Sequence, residues 1–96
     1  MKLREGVHAL DGMKWTDRQL ETLLLRWRLG SDEAVAQEMK LSRSTVKNLL
    51  YNLRWQINAD DTLQAVYILR DQLMELEAHQ EMEAKMSRIR RARKAA

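Results

Sequence analysis

Between positions 42 and 57 the chain reads SRSTVKNLLYNLRWQI, and at 100° per residue Val46, Leu50, Leu53 and Ile57 fall on one narrow stripe. Ser44, Asn48, Tyr51, Asn52 and Trp55 gather on the opposite side with Lys47 on the flank, and the stretch holds no acid. The spacing predicts a short amphipathic helix whose outward face is polar, aromatic and cationic. The solvated face of an ordinary bundle helix mixes Glu with Lys, whereas Asn, Ser, Lys and Tyr can donate to base edges and phosphates. Taken alone, the stretch leaves a nucleic-acid-reading helix and a plain surface helix equally open.

The preceding segments narrow that choice. Thr16 is a good N-cap for a helix over 17–29, with Asp17 at the positive end of the dipole and Gln19 completing a capping-box pattern. Leu20, Leu23, Leu24 and Trp27 recur at three- and four-residue spacing and predict its core face, and Gly30 permits a left-handed stop. Ser31 caps a shorter helix over 32–39 with two acids in its first turn. Ala36 in that helix is small enough for the next helix to cross closely, and Lys40-Leu41 leaves only a tight turn before Ser42 caps the third. Two helices, a tight turn and a second helix with a polar outer face form a helix-turn-helix signature.

Residues 58–61 form a polar turn, and Thr62 is positioned to cap a final helix. There Val66, Leu69, Leu73 and Leu76 make a stripe, with Leu63, Tyr67 and Met74 to one side and Ile68 beyond. That is more apolar girth than one core contact uses, so a second partner is expected, most simply a symmetric copy meeting through Val66, Ile68, Leu69 and Leu73. From Glu77 the helix runs on without a breaker while the apolar stripe shifts to Met82, Met86 and Ile89. Gln80, Glu83 and Ser87 interrupt the first stripe, so a coiled coil along the full length is not expected. Residues 1–14 contain Gly6 and Gly12 and no sustained period; they read as a loosely held arm, with Leu3, Val7 and Leu10 available for one helical stripe.

Composition bounds the class. Ninety-six residues make one small domain with a modest core, and the lack of proline favours a helical chain. Without cysteine there is no disulfide, thiol nucleophile or cysteine-based zinc site, and with no apolar run of signal-peptide or membrane-spanning length the expected location is the cytoplasm. The formal charge of +3 conceals a division: six basic residues and no acid follow position 84, leaving eleven basic against fourteen acidic residues before it. Positive charge is thus placed on the 42–57 helix and on the tail, where it either contacts phosphates or suits the negative end of a helix dipole.

Catalysis is not expected. The chain has no glycine-rich phosphate loop, and His8 and His79 stand far apart; His79 with Glu75 and Glu83 one turn either side reads as a solvated histidine on a charged helix.

On Thr16, Arg18, Glu21 and Leu23, Ala36 and Met39, Leu41-Ser42, Thr45-Val46-Lys47, Leu50, Asn52-Leu53 and Ala65-Val66, residues 15–66 resemble the LuxR/GerE (NarL-like) family of bacterial helix-turn-helix domains. The chain departs from the family pattern at Asp17, where proline is usual, in the position of its glycine, and at Leu49, Trp55 and Gln56. The opening pattern also resembles sigma-factor region four, but Thr45-Val46-Lys47 and Ala65-Val66 favour the LuxR type. The resemblance implies an all-α fold: a four-helix domain over 15–71, after an arm over 1–14 and before a helical extension and basic tail over 72–96. It implies a cytoplasmic transcriptional regulator binding double-stranded DNA as a homodimer, without a cofactor or metal. The candidate DNA contacts are Ser42, Arg43, Ser44, Thr45, Lys47, Asn48, Tyr51, Asn52 and Arg54. With fourteen residues before Trp15, a complete chain is expected to stand alone without its own sensor module. The alternative is a protein-binding module on the same fold, capturing a host transcription regulator or RNA polymerase through the fourth helix or the Tyr51-Trp55 face.

Overall fold

The computed structural model describes residues 7–10 and 12–95, which form one β-hairpin and five helices. Strands β1 (Val7–Leu10) and β2 (Met13–Thr16) pair antiparallel with His8 opposite Trp15 and Leu10 opposite Met13. The described part of the expected arm therefore belongs to a hairpin, and Val7 and Leu10 lie on a strand instead of a helical stripe; Leu3 falls outside the described residues. The connection at 11–12 ends in Gly12 at φ +82°, a left-handed conformation that glycine adopts at no steric cost. The hairpin matters to the core because it delivers Trp15, only 5% exposed, over the start of the first helix.

Helix α1 (Asp17–Leu29) begins as its capping box dictates: Thr16 Oγ1 accepts from Gln19 N–H at 3.1 Å, and Thr16 N–H donates to Gln19 Oε1 at 2.9 Å. It ends at Gly30, φ +83°, whose N–H returns to the Arg26 carbonyl. Helices α2 (Asp32–Met39) and α3 (Arg43–Gln56) are capped by Ser31 and Ser42. The last cap differs from expectation. Asp61, one residue before Thr62, accepts from Gln64 N–H and starts α4 (Thr62–Ile68), because a carboxylate one residue outside the helix reaches that orphan donor better than a hydroxyl already inside it.

The expected single long helix is two. Helix α5 (Arg70–Ala95) follows α4 after a deviation at Leu69, φ −98° and ψ 18°, although Leu69 N–H still donates to the Ala65 carbonyl and Leu73 N–H to that of Leu69. Leu69 itself is fully buried. The chain is thus mostly helical with a small sheet, not purely α.

The core gathers Trp15, Leu20, Leu23 and Leu24 with Val35 and Ala36, the α3 stripe Val46, Leu50, Leu53 and Ile57, then Ala65, Leu69 and Leu73. Trp27 does not join it. At 58% exposed, it lies in the last turn of α1 on the side that faces α4 and α5, where it flanks an open groove. Burial predicts opposite outcomes for the two tryptophans: Trp15→Ala should cost about 3–5 kcal/mol in urea unfolding, and Trp27→Ala under about 1 kcal/mol.

Candidate nucleic-acid interface

The site is built on the α2-turn-α3 unit. Lys40 closes α2 in the left-handed region at φ 56° and ψ 45°, and Leu41 N–H donates to the Ala36 carbonyl at 2.9 Å, so two residues reverse the chain into Ser42. Ser42 Oγ accepts from Thr45 N–H at 3.1 Å and shares a further 2.8 Å hydrogen bond with Thr45 Oγ1. Both hydroxyls are committed to the cap. Ala36 and Val46 are buried at the α2–α3 crossing, where a larger side chain would hold the helices apart.

Burial of one stripe turns the other side of α3 outward. Arg43, Ser44, Lys47, Asn48, Tyr51, Asn52, Trp55 and Gln56 are all exposed along a 14-residue helix, roughly 21 Å long at 1.5 Å per residue. Tyr51 and Trp55 meet edge to face, ring centroids 6.3 Å apart, and make an aromatic ridge at the C-terminal end of this surface. Trp55, 71% exposed and outside the candidate set, belongs to the surface; its place opposite Val46 on the helical wheel was the available signal.

Two candidates sit differently from expectation. Thr45 is half-buried at the cap. Arg54 is half-buried and turns away toward the α3–α4 turn, where Nη1 donates to the Asp60 carbonyl at 3.4 Å and Cζ lies 5.9 Å from the centre of the Tyr51 ring. Its Nε is buried without a hydrogen-bond partner. Arg54 therefore positions Tyr51 and ties the turn to α3 instead of extending outward. Arg26, which sequence spacing gave no reason to include, lies beside this face with Lys47 and Asn48, its charge paired with Asp32 at 3.0 Å. Only the packing of α1 against α3 brings it there.

The candidate dimer contacts are mostly drawn into the domain itself. Leu69 is fully buried in the domain's own core and Leu73 nearly so, while Val66 and Ile68 are half-buried against that core. The exposed apolar residues are their neighbours: Leu63 at 66%, Tyr67 at 75% and Met74 at 65%, which with Trp27 rim an almost wholly apolar groove between α1, α4 and α5.

Among the described residues no group of three or more His, Cys, Asp or Glu is placed to hold a metal ion, and no helix is long and apolar enough to cross a membrane. No protein-family model, curated protein or solved structure matches this chain. Separation of scaffold from contact surface gives a stability check: Ser42→Ala should lower stability by about 1 kcal/mol through loss of the cap. Lys47→Ala and Asn48→Ala should leave thermal unfolding within about 0.5 kcal/mol of the parent.

Proposed function

We propose that the protein is a sequence-specific double-stranded DNA-binding transcriptional regulator of the LuxR/GerE helix-turn-helix type, acting as a homodimer with α3 in the major groove. One observation carries this: the exposed side of α3 is acid-free and presents Ser44, Lys47, Asn48, Tyr51 and Asn52 along one continuous surface, on a helix held rigidly by a fully buried stripe. Amide, hydroxyl and ammonium groups at this spacing match the donors and acceptors of base edges, and Arg43 at the first turn is placed for a phosphate.

A second reading has its own observation. The Trp27, Leu63, Tyr67 and Met74 groove is the kind of exposed apolar surface that binds another protein, and a module using it to capture a host regulator would not need α3 to touch DNA.

Selection from random duplex DNA at two salt concentrations separates these. A consensus whose enrichment falls with salt is expected for the first; no enrichment at low salt overturns it and favours the second. On the selected site Asn48→Ala should cost about 1–3 kcal/mol and relax preference at one base pair, whereas equal loss on scrambled DNA would remove Asn48 from base reading.

A further inference from the structure

Among the described residues, no other element packs on the distal half of α5. Every residue from 81 to 93 is exposed, including Met82 at 59%, Met86 at 43% and Ile89 at 40%. These three continue a four-three spacing with Glu75 and His79 before them and Arg93 after them, so Glu75, His79, Met82, Met86, Ile89 and Arg93 lie along one side of the helix. The N-terminal end of this line is not on a bare helix. Glu75 and His79 face a groove whose opposite wall is the hairpin, with Val7, Leu10 and Trp15.

The charge along α5 is divided. After Arg70 at its start, Asp71, Glu75, Glu77, Glu81 and Glu83 occupy the first half, and Lys85, Arg88, Arg90, Arg91, Arg93 and Lys94 the second. That division suits the dipole of a single helix, but a dipole gives no reason for an apolar line among the charges. A second copy does. Set antiparallel about position 84, the line meets itself as Met82 with Met86, His79 with Ile89, and Glu75 with Arg93, and each acidic half lies along a basic half. A parallel pair would align like charge with like.

We propose that the protein dimerises through antiparallel pairing of its α5 helices along this line, the basic end of each entering the groove between the hairpin and α5 of the other copy. The proposal deepens the homodimer part of the functional reading and is independent of DNA binding. Ile89 of the incoming helix then covers Leu10, which is 44% exposed, and Arg93 reaches Glu75 at the end of the seam. There are two local costs: Glu83 flanks one side of the axis and Lys85 the other, so each stands near its own copy. The Trp27 groove on the opposite side of α5 carries no comparable charge pattern to select a second copy.

Because the chain has no cysteine, single substitutions report the pairing directly. Met82→Cys and Met86→Cys proteins, mixed and mildly oxidised, should form the mixed disulfide in preference to either self-link. In sedimentation across concentration the parent should show a monomer–dimer equilibrium, and Met86→Glu should weaken it at least tenfold with helical circular dichroism unchanged. Arg93→Glu should also weaken it, and adding Glu75→Arg should restore it. A parent that stays monomeric at the highest concentration reached, a dimer indifferent to Met86→Glu, or self-links in place of the mixed disulfide overturns the proposal. All these measurements are made without DNA, so a failed selection from random duplexes leaves their outcome unaffected.

Discussion

Burial of one side of α3 is the constraint on which the rest depends. Val46 and Leu53 are completely removed from solvent, and Leu50 and Ile57 nearly so. At about 1.5–3 kcal/mol for each fully buried aliphatic side chain, this stripe is a large share of what a small core can contribute. It faces Leu20, Leu23 and Leu24 on α1 and Val35 and Ala36 on α2, and the α2 contact works only because Ala36 admits a close crossing. Once the stripe is committed, α3 cannot rotate, and the polar surface from Ser44 to Trp55 has one possible direction. The same packing that stabilises the domain therefore orients the surface proposed to read DNA.

Features governed by local chemistry were legible in the residues. The Thr16-Gln19 box, the Ser31 and Ser42 caps and the Gly30 stop each depend on groups within four positions, and α1, α2 and α3 begin, and α1 ends, where those groups place them. The hairpin was also written locally, in Asp11-Gly12 between VHAL and MKWT, yet a short stretch with apolar residues at 3, 7 and 10 can satisfy a helical count as easily as a strand. What was not legible depends on where one helix stops covering another. Trp27 keeps the period of Leu20 and Leu24 but opens onto the groove beside α4 and α5, so periodicity alone counts it as core. Leu69 and Leu73 are the reverse case: the surplus apolar girth of α4 and α5 was visible, but only packing shows that these two face inward while Leu63, Tyr67 and Met74 face out.

The candidate site divides along the same line. Lys47, Asn48, Tyr51 and Asn52 follow from the angle of the buried stripe, and that angle is a property of the sequence. Ser42 and Thr45 serve the helix cap, a local role that their side chains fill on their own helix. Arg54 is withdrawn by Asp60 and Tyr51, and Arg26 is supplied from a different helix; neither could be read from spacing along α3.

The tail connects the two proposals. An isolated helix shorter than about 12–15 residues is marginal in water, and residues 81–93 of α5 are all exposed, with no packing among the described residues to supplement their propensity. Pairing supplies that packing and also fixes a distance. With the axis at position 84, the two copies of Leu73, where α5 enters each core, stand about 33 Å apart along the helix at 1.5 Å per residue. If α3 reads DNA as proposed, its two copies would need to stand one DNA turn, roughly 34 Å, apart, and the spacing of the two cores sets only the scale of that separation. A seam centred much nearer Arg70 would crowd the two cores together, and one nearer Ala95 would spread them beyond a single turn. The change of stripe from Leu69, Leu73 and Leu76 to Met82, Met86 and Ile89 then has a physical meaning: the first line belongs to the domain's own core, and the second begins where that core ends.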